Sequence, residues 1–244
     1  MSFLSSRTLG LAVALGLMLS ASTAWAEAFI VVSTGLPWPG GKVQLFLNNG
    51  TYVRWDTQSW HADSGYPRLI DDRSWPGLGR YAEQIAASFP LDGSKVVFFL
   101  GRQYLVYDIV ADRADPGYPR PIDERSWPGL APYSGAIIGA MAWPGRRVQI
   151  FLNDGRYLRY DLTARRVEPN YPRRVDDQNW PGLGPYAQRI SGMTNWPDGS
   201  AMIFLHDGLV LRYDIARDRV AQGFPQRMTK GTWPGLRDVL NFYP

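Results

Sequence analysis

Two histidines, three pairs of carboxylates and several pairs of arginines are the residues of this 244-residue chain with chemistry to offer. Cysteine is absent, so thiolate nucleophiles, thiolate metal ligands and disulfides are excluded. His61 follows Trp60, and an aromatic beside an imidazole in a loop can stack on a flat ligand or give an axial nitrogen to haem iron. The plainer alternative is an ordinary surface loop, where single residues vary freely. His206 opens a His-Asp-Gly turn and reads as a solvent-facing residue, with ligand binding as the second option. Arg165-Arg166, flanked in sequence by Arg146-Arg147 and Arg173-Arg174, suit an anion such as a propionate, a sulfated glycan or a lipid headgroup. Asp154, Asp161, Glu168, Asp176 and Asp177 dilute that charge, as on a solvated mixed-charge surface.

The pairs Asp71-Asp72, Asp123-Glu124 and Asp176-Asp177 invite an acid/base reading. A glycosidase needs one such pair flanking its substrate. Three copies, each just ahead of a Trp-Pro-Gly-Leu run, read instead as caps on a short helical turn. The fourth copy of that region, "MTKGTW", lacks the pair. No nucleophile elbow, paired-histidine zinc motif, P-loop or dinucleotide fingerprint is present, so the expectation is a non-enzymatic protein.

The elements that position these residues repeat. The tryptophan of Trp-Pro-Gly-Leu falls at Trp75, Trp127, Trp180 and Trp233, at intervals of 52, 53 and 53. An aspartate stands 19 residues before each (Asp56, Asp108, Asp161, Asp214), and an aromatic–proline pair nine before. Each repeat reads as four strands. The first is short with a small central residue (Thr34, Ala87, Gly139, Gly192). The second is a continuous apolar run such as "KVVFFL", as expected of a strand covered on both faces. A tight turn leads to an aromatic, β-branched third strand, and the fourth follows the aromatic–proline pair. Four such units predict an all-β chain, a single four-bladed β-propeller with blades near 29–78, 82–130, 134–183 and 187–236. Small residues at the centre of the first strand suit a crowded hub.

The segment Ala87–Asp108 with Asp115–Leu130 resembles the repeat of the hemopexin family, and the resemblance runs through all four units. It implies a four-bladed propeller with a narrow axial channel that serves binding: haem, protein or glycan surfaces, or small ligands, here in a bacterial-type secreted member. It also implies a calcium or sodium ion held by backbone carbonyls in the channel, at Ser33, Ala86, Ile138 and Ser191. Family members often carry an aspartate there; this chain has none, which should weaken the site. The family's ring-closing disulfide is missing too, leaving closure to strand contacts and the tail "RDVLNFYP".

Residues 1–26 carry a lone Arg7, an eleven-residue apolar run from Leu9 to Leu19 and small residues ending at Ala26. This is the layout of a cleaved signal peptide, too short to span a bilayer, and predicts export to the periplasm or beyond. Removing it takes the net charge from +4 to +3, far from a nucleic-acid footprint.

Overall fold

The computed structural model describes residues 29–242; the signal-peptide expectation lies outside them. Among the described residues the fold is all-β apart from three six-residue 3-10 segments, Gly79–Gln84, Ala131–Ala136 and Gly184–Arg189. The four repeats form four like units. Their inner strands are Val32–Trp38, Ile85–Asp92, Ile137–Trp143 and Ile190–Asn195. Each pairs antiparallel with a second strand (Lys42–Leu47, Lys95–Leu100, Arg147–Leu152, Ala201–Leu205), which pairs with a third. The second strands are buried nearly throughout, because both faces are covered by neighbouring units.

Two features differ from the sequence expectation. The fourth strand is not continuous. In unit one it is split into His61–Ala62 and Arg68–Leu69, both paired with Thr51–Asp56. The break holds the aromatic–proline bond, which is cis in all four units, at Tyr66-Pro67, Tyr118-Pro119, Tyr171-Pro172 and Phe224-Pro225. Proline has no N–H to give to the ladder, so pairing stops there. Nor do the four units make four separate sheets. Units one and four merge into one ten-stranded sheet through a parallel bridge, Thr34 to Met193, while units two and three are sheets of five.

The same joint recurs at each junction between units. The proline carbonyl of Trp-Pro-Gly-Leu accepts a hydrogen bond from the fourth strand of the next unit: Ala114 N to Pro76 O (2.9 Å), Val167 N to Pro128 O (3.2 Å), Val220 N to Pro181 O (2.9 Å) and, from last to first, Ala62 N to Pro234 O (3.1 Å). The following glycine is in the left-handed region, and a Cβ on Gly77 or Gly235 would lie 2.7 Å from Ala114 or Ala62. Glycine is therefore required twice over, by conformation and by approach. The tryptophan of the motif is buried as a wedge. Trp75 meets Tyr107 at 5.1 Å, Trp127 meets Tyr160 at 4.8 Å, Trp180 meets Tyr213 at 4.9 Å and Trp233 meets Trp55 at 4.7 Å between ring centroids. Removing such a ring typically costs about 3–5 kcal/mol. The termini add a bridge of their own, Ile30 N to Asn241 O at 2.8 Å and Asn241 N to Ile30 O at 2.9 Å, so the tail fastens units one and four without a disulfide.

Around the hub, Thr34 and Ala87 are fully buried. Thr34 Oγ1 lies 2.9 Å from Ser88 Oγ and donates to Met193 O at 3.2 Å, while Ser88 Oγ donates to Gly35 O at 3.0 Å. This polar knot ties units one, two and four.

Candidate functional site

The carboxylate pairs are caps. Asp71 Oδ1 accepts from Arg73 N (3.0 Å) and Ser74 N (2.9 Å), and Asp72 Oδ1 accepts from Gly77 N (3.0 Å). Asp123 and Asp176 repeat the first arrangement, Glu124 and Asp177 the second. The hydrogen bond from Ser74 N above all holds the Asp71 carboxyl below the ordinary range, and those from Ser126 N and Asn179 N do the same for Asp123 and Asp176. In unit four Thr229 takes over, accepting from Thr232 N at 3.1 Å. The repeated Asp56 and Asp108 also serve the scaffold: each caps the next turn and pairs with Lys42 or Lys95.

Trp60 is not a free stacking platform. It is only 37% exposed, donates Nε1 to Thr232 O at 2.7 Å, and packs on Trp55, Trp196 and Trp233. Trp196 and Trp233 come from the other end of the chain, which its local sequence cannot show. His61 is exposed, with Nδ1 2.5 Å from its neighbour's carbonyl, Ala62 O. His206 is half-buried rather than solvent-facing, and burial lowers its pKa. His61 pairs with Asp56 at the far end of a third strand, whereas His206 sits in the hairpin before one, so the two histidines lie at opposite ends of their units. The structure does not bring them together.

Arg165 and Arg166 are exposed, and Arg165 lines a cleft of about 200 Å³ between units two and three, with Arg146, Trp127 and Tyr160. Of the other arginines in the stretch, Arg147 pairs with Glu168 at 2.5 Å, and Arg173 lies 4.8 Å over Tyr171.

Ser33, Ala86, Ile138 and Ser191 share one structural role. Each is the extra residue of a β-bulge, where the register slips between Val32/Thr34, Ile85/Ala87, Ile137/Gly139 and Ile190/Gly192. A bulge residue is left out of the ladder, so its backbone groups are available to another partner. Ser33 is buried and the other three are half-buried. Ser191 Oγ is buried without a hydrogen-bond partner. Oxygen donors of this kind fit a hard cation, but they are neutral. Among the described residues no cluster of three or more histidines, aspartates or glutamates could hold a metal.

A larger cleft, about 610 Å³, lies at the junction of units one and two; of the residues singled out in the sequence it holds only the capping Asp71 and the wedge Trp75. Trp38 and Tyr66 supply partly exposed aromatic surface above the buried Tyr52 and Trp75, and Arg54, Arg68 and Arg73 supply guanidinium groups. Arg68 and Arg54 lie 4.6 and 5.2 Å from the centre of the Tyr66 ring, and Arg54 is paired with Asp63 at 2.5 Å. Burial pushes the Tyr52 hydroxyl up to about 12, so it stays a neutral donor. Gln44 reaches the cleft from the second strand, is 4% exposed, and its Oε1 has no partner. The one polar residue inside "KVQLFL" was the available signal in the sequence.

Residues 86–132 match the Hemopexin family model. Matrix metalloproteinase-2 of Drosophila melanogaster is 30% identical over 166 residues, 68% of this chain and 20% of that protein. Hemopexin of Homo sapiens is 27% identical over 146 residues, 59% of this chain and 28% of that protein. The chain thus spans less than a third of the length of these relatives. Among solved structures, a plant albumin from Cicer arietinum showing hemagglutination has a TM-score of 0.71 at 19% identity, covering 86% of this chain and 98% of the albumin. The hemopexin fold protein CP4 from cow pea has a TM-score of 0.69 at 19% identity, covering 85% and 97%. The matched repeat and the shared hemopexin fold support a hemopexin-like chain.

Proposed function

We propose that the chain is an exported, non-enzymatic binding protein, a four-bladed propeller of the hemopexin-like, bacterial type that takes small anionic ligands or glycans at the clefts between its blades. The four identical Pro-carbonyl joints, running one to two, two to three, three to four and four to one, support a closed ring. The relatives named above are animal and plant proteins, so the bacterial-type assignment is part of this proposal. The observation that carries the binding reading is the aromatic- and guanidinium-lined cleft of about 610 Å³, within the size range of small-molecule sites. The haemagglutinating albumin, and a plant lectin with two metal binding sites that shares the fold, lend weight to a glycan. Haem enters this reading as a planar anion with at most one axial nitrogen, that of His61. A calcium or sodium ion at the four bulges would have only neutral oxygens, which places its affinity at or weaker than about 10⁻⁴–10⁻³ M.

The test is a thermal-shift and calorimetric screen of the purified protein with acidic and neutral saccharides, haem, calcium and sodium. An anionic ligand is expected to raise Tm, and Arg68→Ala with Arg73→Ala to remove the effect. A Soret shift lost in His61→Ala, with no other ligand bound, would move the site to the His61 loop and overturn the reading. A second reading, an interaction module for a protein or glycan surface in adhesion or toxin assembly, is favoured by Leu69 and Val110, which are 66% and 83% exposed. It predicts a partner lost in Leu69→Asp with Val110→Asp but retained in the arginine variant.

A further inference from the structure

The set of residues that lines the aromatic cleft has a near-copy. In unit three the corresponding residues are Trp143, Gln149, Tyr157, Arg159, Tyr171 and Trp180, packed against unit four. The ring geometry coincides. Trp38 meets Trp75 at 5.4 Å and 68°, and Trp143 meets Trp180 at 5.3 Å and 67°. Tyr52 meets Tyr66 at 5.3 Å and 78°, and Tyr157 meets Tyr171 at 5.3 Å and 77°. The Arg54–Arg68 pair over Tyr66 becomes Arg159 and Arg173 over Tyr171, at 5.5 and 4.8 Å. Tyr107 donates to Asp112 and Tyr213 to Asp218, both at 2.8 Å. Gln149 is 1% exposed, and both its Oε1 and its Nε2 lack partners, as Gln44 Oε1 does.

The other two junctions keep only part of the pattern. Unit two has Leu91, Val97 and Val106 where unit one has Trp38, Gln44 and Arg54, while retaining the tyrosine pair Tyr104–Tyr118 at 5.3 Å and Arg120 over Tyr118; unit four retains the outer tryptophan as Trp196 but has Met202 at the glutamine position and Phe224 for the second tyrosine, and its Arg212 is paired with Asp198 at 2.7 Å. A residue needed for folding would recur four times, as the wedge tryptophans do. A buried amide with unmet hydrogen-bonding capacity costs stability, about 1–3 kcal/mol by general experience, so its presence in alternate units only calls for a ligand.

We infer that the chain is bivalent, with like clefts at the one–two and three–four junctions, each taking a saccharide ring that bears a carboxylate. This rests on the cleft reading above. The partly exposed rings, Trp38 and Tyr66 in the first set and Trp143 and Tyr171 in the second, receive the apolar side of a sugar ring. Gln44 and Ser74 serve its hydroxyls. Arg54 is neutralised by Asp63, and Arg159 has Glu168 at 3.7 Å, leaving Arg68 and Arg73 for a carboxylate in the first cleft and Arg173 in the second. Asp71 and Asp112 in the first cleft wall repel a densely charged polyanion, which favours a ligand with few charges. Gln178 stands where Arg73 would be, so the second cleft binds more weakly.

Calorimetric titration of the full protein with trigalacturonic acid tests this. Two sites are expected, one of them lost in Gln44→Leu with Arg68→Ala, the other in Gln149→Leu with Arg173→Ala, and both in the combined variant. Gln44→Leu alone should hold or raise Tm while binding falls at least tenfold; a fall in Tm would mark the amide as structural and overturn its role. A single site indifferent to the Gln149 variant overturns bivalence. Equal binding of the methyl ester overturns the carboxylate contact, and binding of indole-3-acetate without the saccharide overturns the sugar. If the saccharide fails while another anion in the screen still depends on Arg68, this inference falls and the cleft reading stands; if no anion binds, both fall.

Discussion

Gly192→Ala should be the most damaging single-methyl change at the hub. Gly192 lies in unit four against the inner strand of unit one, and an added Cβ would stand 2.2 Å from Ser33 O, 2.3 Å from Ser33 C and 2.5 Å from Val32 O. All three are backbone atoms, and the closest is more than 1 Å short of ordinary contact at 3.4 Å. Relief requires the two inner strands to part. That strains the Thr34–Met193 bridge and the 3.2 Å bond from Thr34 Oγ1 to Met193 O, the contacts that merge units one and four. Overpacking costs about 1–3 kcal/mol and each lost hydrogen bond about 1 kcal/mol, so about 3–4 kcal/mol is expected. Gly139→Ala is the control. Its Cβ would meet Met193 Cε at 2.8 Å, Cγ at 2.9 Å and Sδ at 3.0 Å, all on a flexible side chain. Methionine adapts its shape, and about 1 kcal/mol is expected there. Unit two already carries Ala87 at this position. Urea titration followed by tryptophan fluorescence measures both variants. With a urea slope of about 3 kcal/mol/M, the midpoint should drop by about 1 M for Gly192→Ala and about 0.3 M for Gly139→Ala. Equal drops would refute the steric reasoning, because they would mean that the hub does not distinguish a rigid neighbour from a flexible one.

Trp60→Ala should lower stability by about 2 kcal/mol, somewhat less than a fully buried ring, and Tm by roughly 4–8 °C. An unchanged melt would restore Trp60 as a free platform, contrary to its contacts with Trp55, Trp196 and Trp233. The capping carboxylates predict acid sensitivity. Asp71, Asp123 and Asp176 have folded pKa values below their unfolded ones, so their stabilisation is present above about pH 4 and is lost as pH falls through the lowered values. The triple alanine variant should melt lower at pH 7 yet lose less between pH 5 and pH 2 than the parent; an unchanged acid slope would show that the caps do not set it.

The sequence carried the second and third strands in full, because a continuous apolar run between tight turns has one reading. The outer strand was legible in outline only. Its aromatic–proline pair marked the place, but where the ladder parts and rejoins depends on pairing with Thr51 and Asp56, not on local composition. The ring contacts of Trp60 lay beyond local reading because Trp196 and Trp233 are distant in sequence, and His206 is half-buried where its turn composition reads as solvent-facing. The bulges at Ser33, Ala86, Ile138 and Ser191 left no mark in residue type, since none of these positions carries a glycine or proline that would signal a break in the ladder. The main cleft was hidden in plain view, as Gln44 and Gln149 interrupt runs that otherwise read as core.

How often a residue recurs therefore sorts its role. The Trp-Pro-Gly joint occurs four times because each of these junctions buries an indole ring and satisfies a backbone N–H. Trp60 occurs once, at the single junction made by residues distant in sequence, where extra aromatic packing replaces covalent continuity. The outer tryptophan (Trp38, Trp143, Trp196) and the arginine over tyrosine (Arg68, Arg120, Arg173) occur three times each, whereas the glutamine occurs twice, in alternate units. Neither folding nor closure accounts for that number, since units two and four fold into the same strands and make the same joints without the full set. What a twofold set changes is the surface that two junctions present to solvent, and a chain that keeps two unmet buried amides there retains them against its own stability.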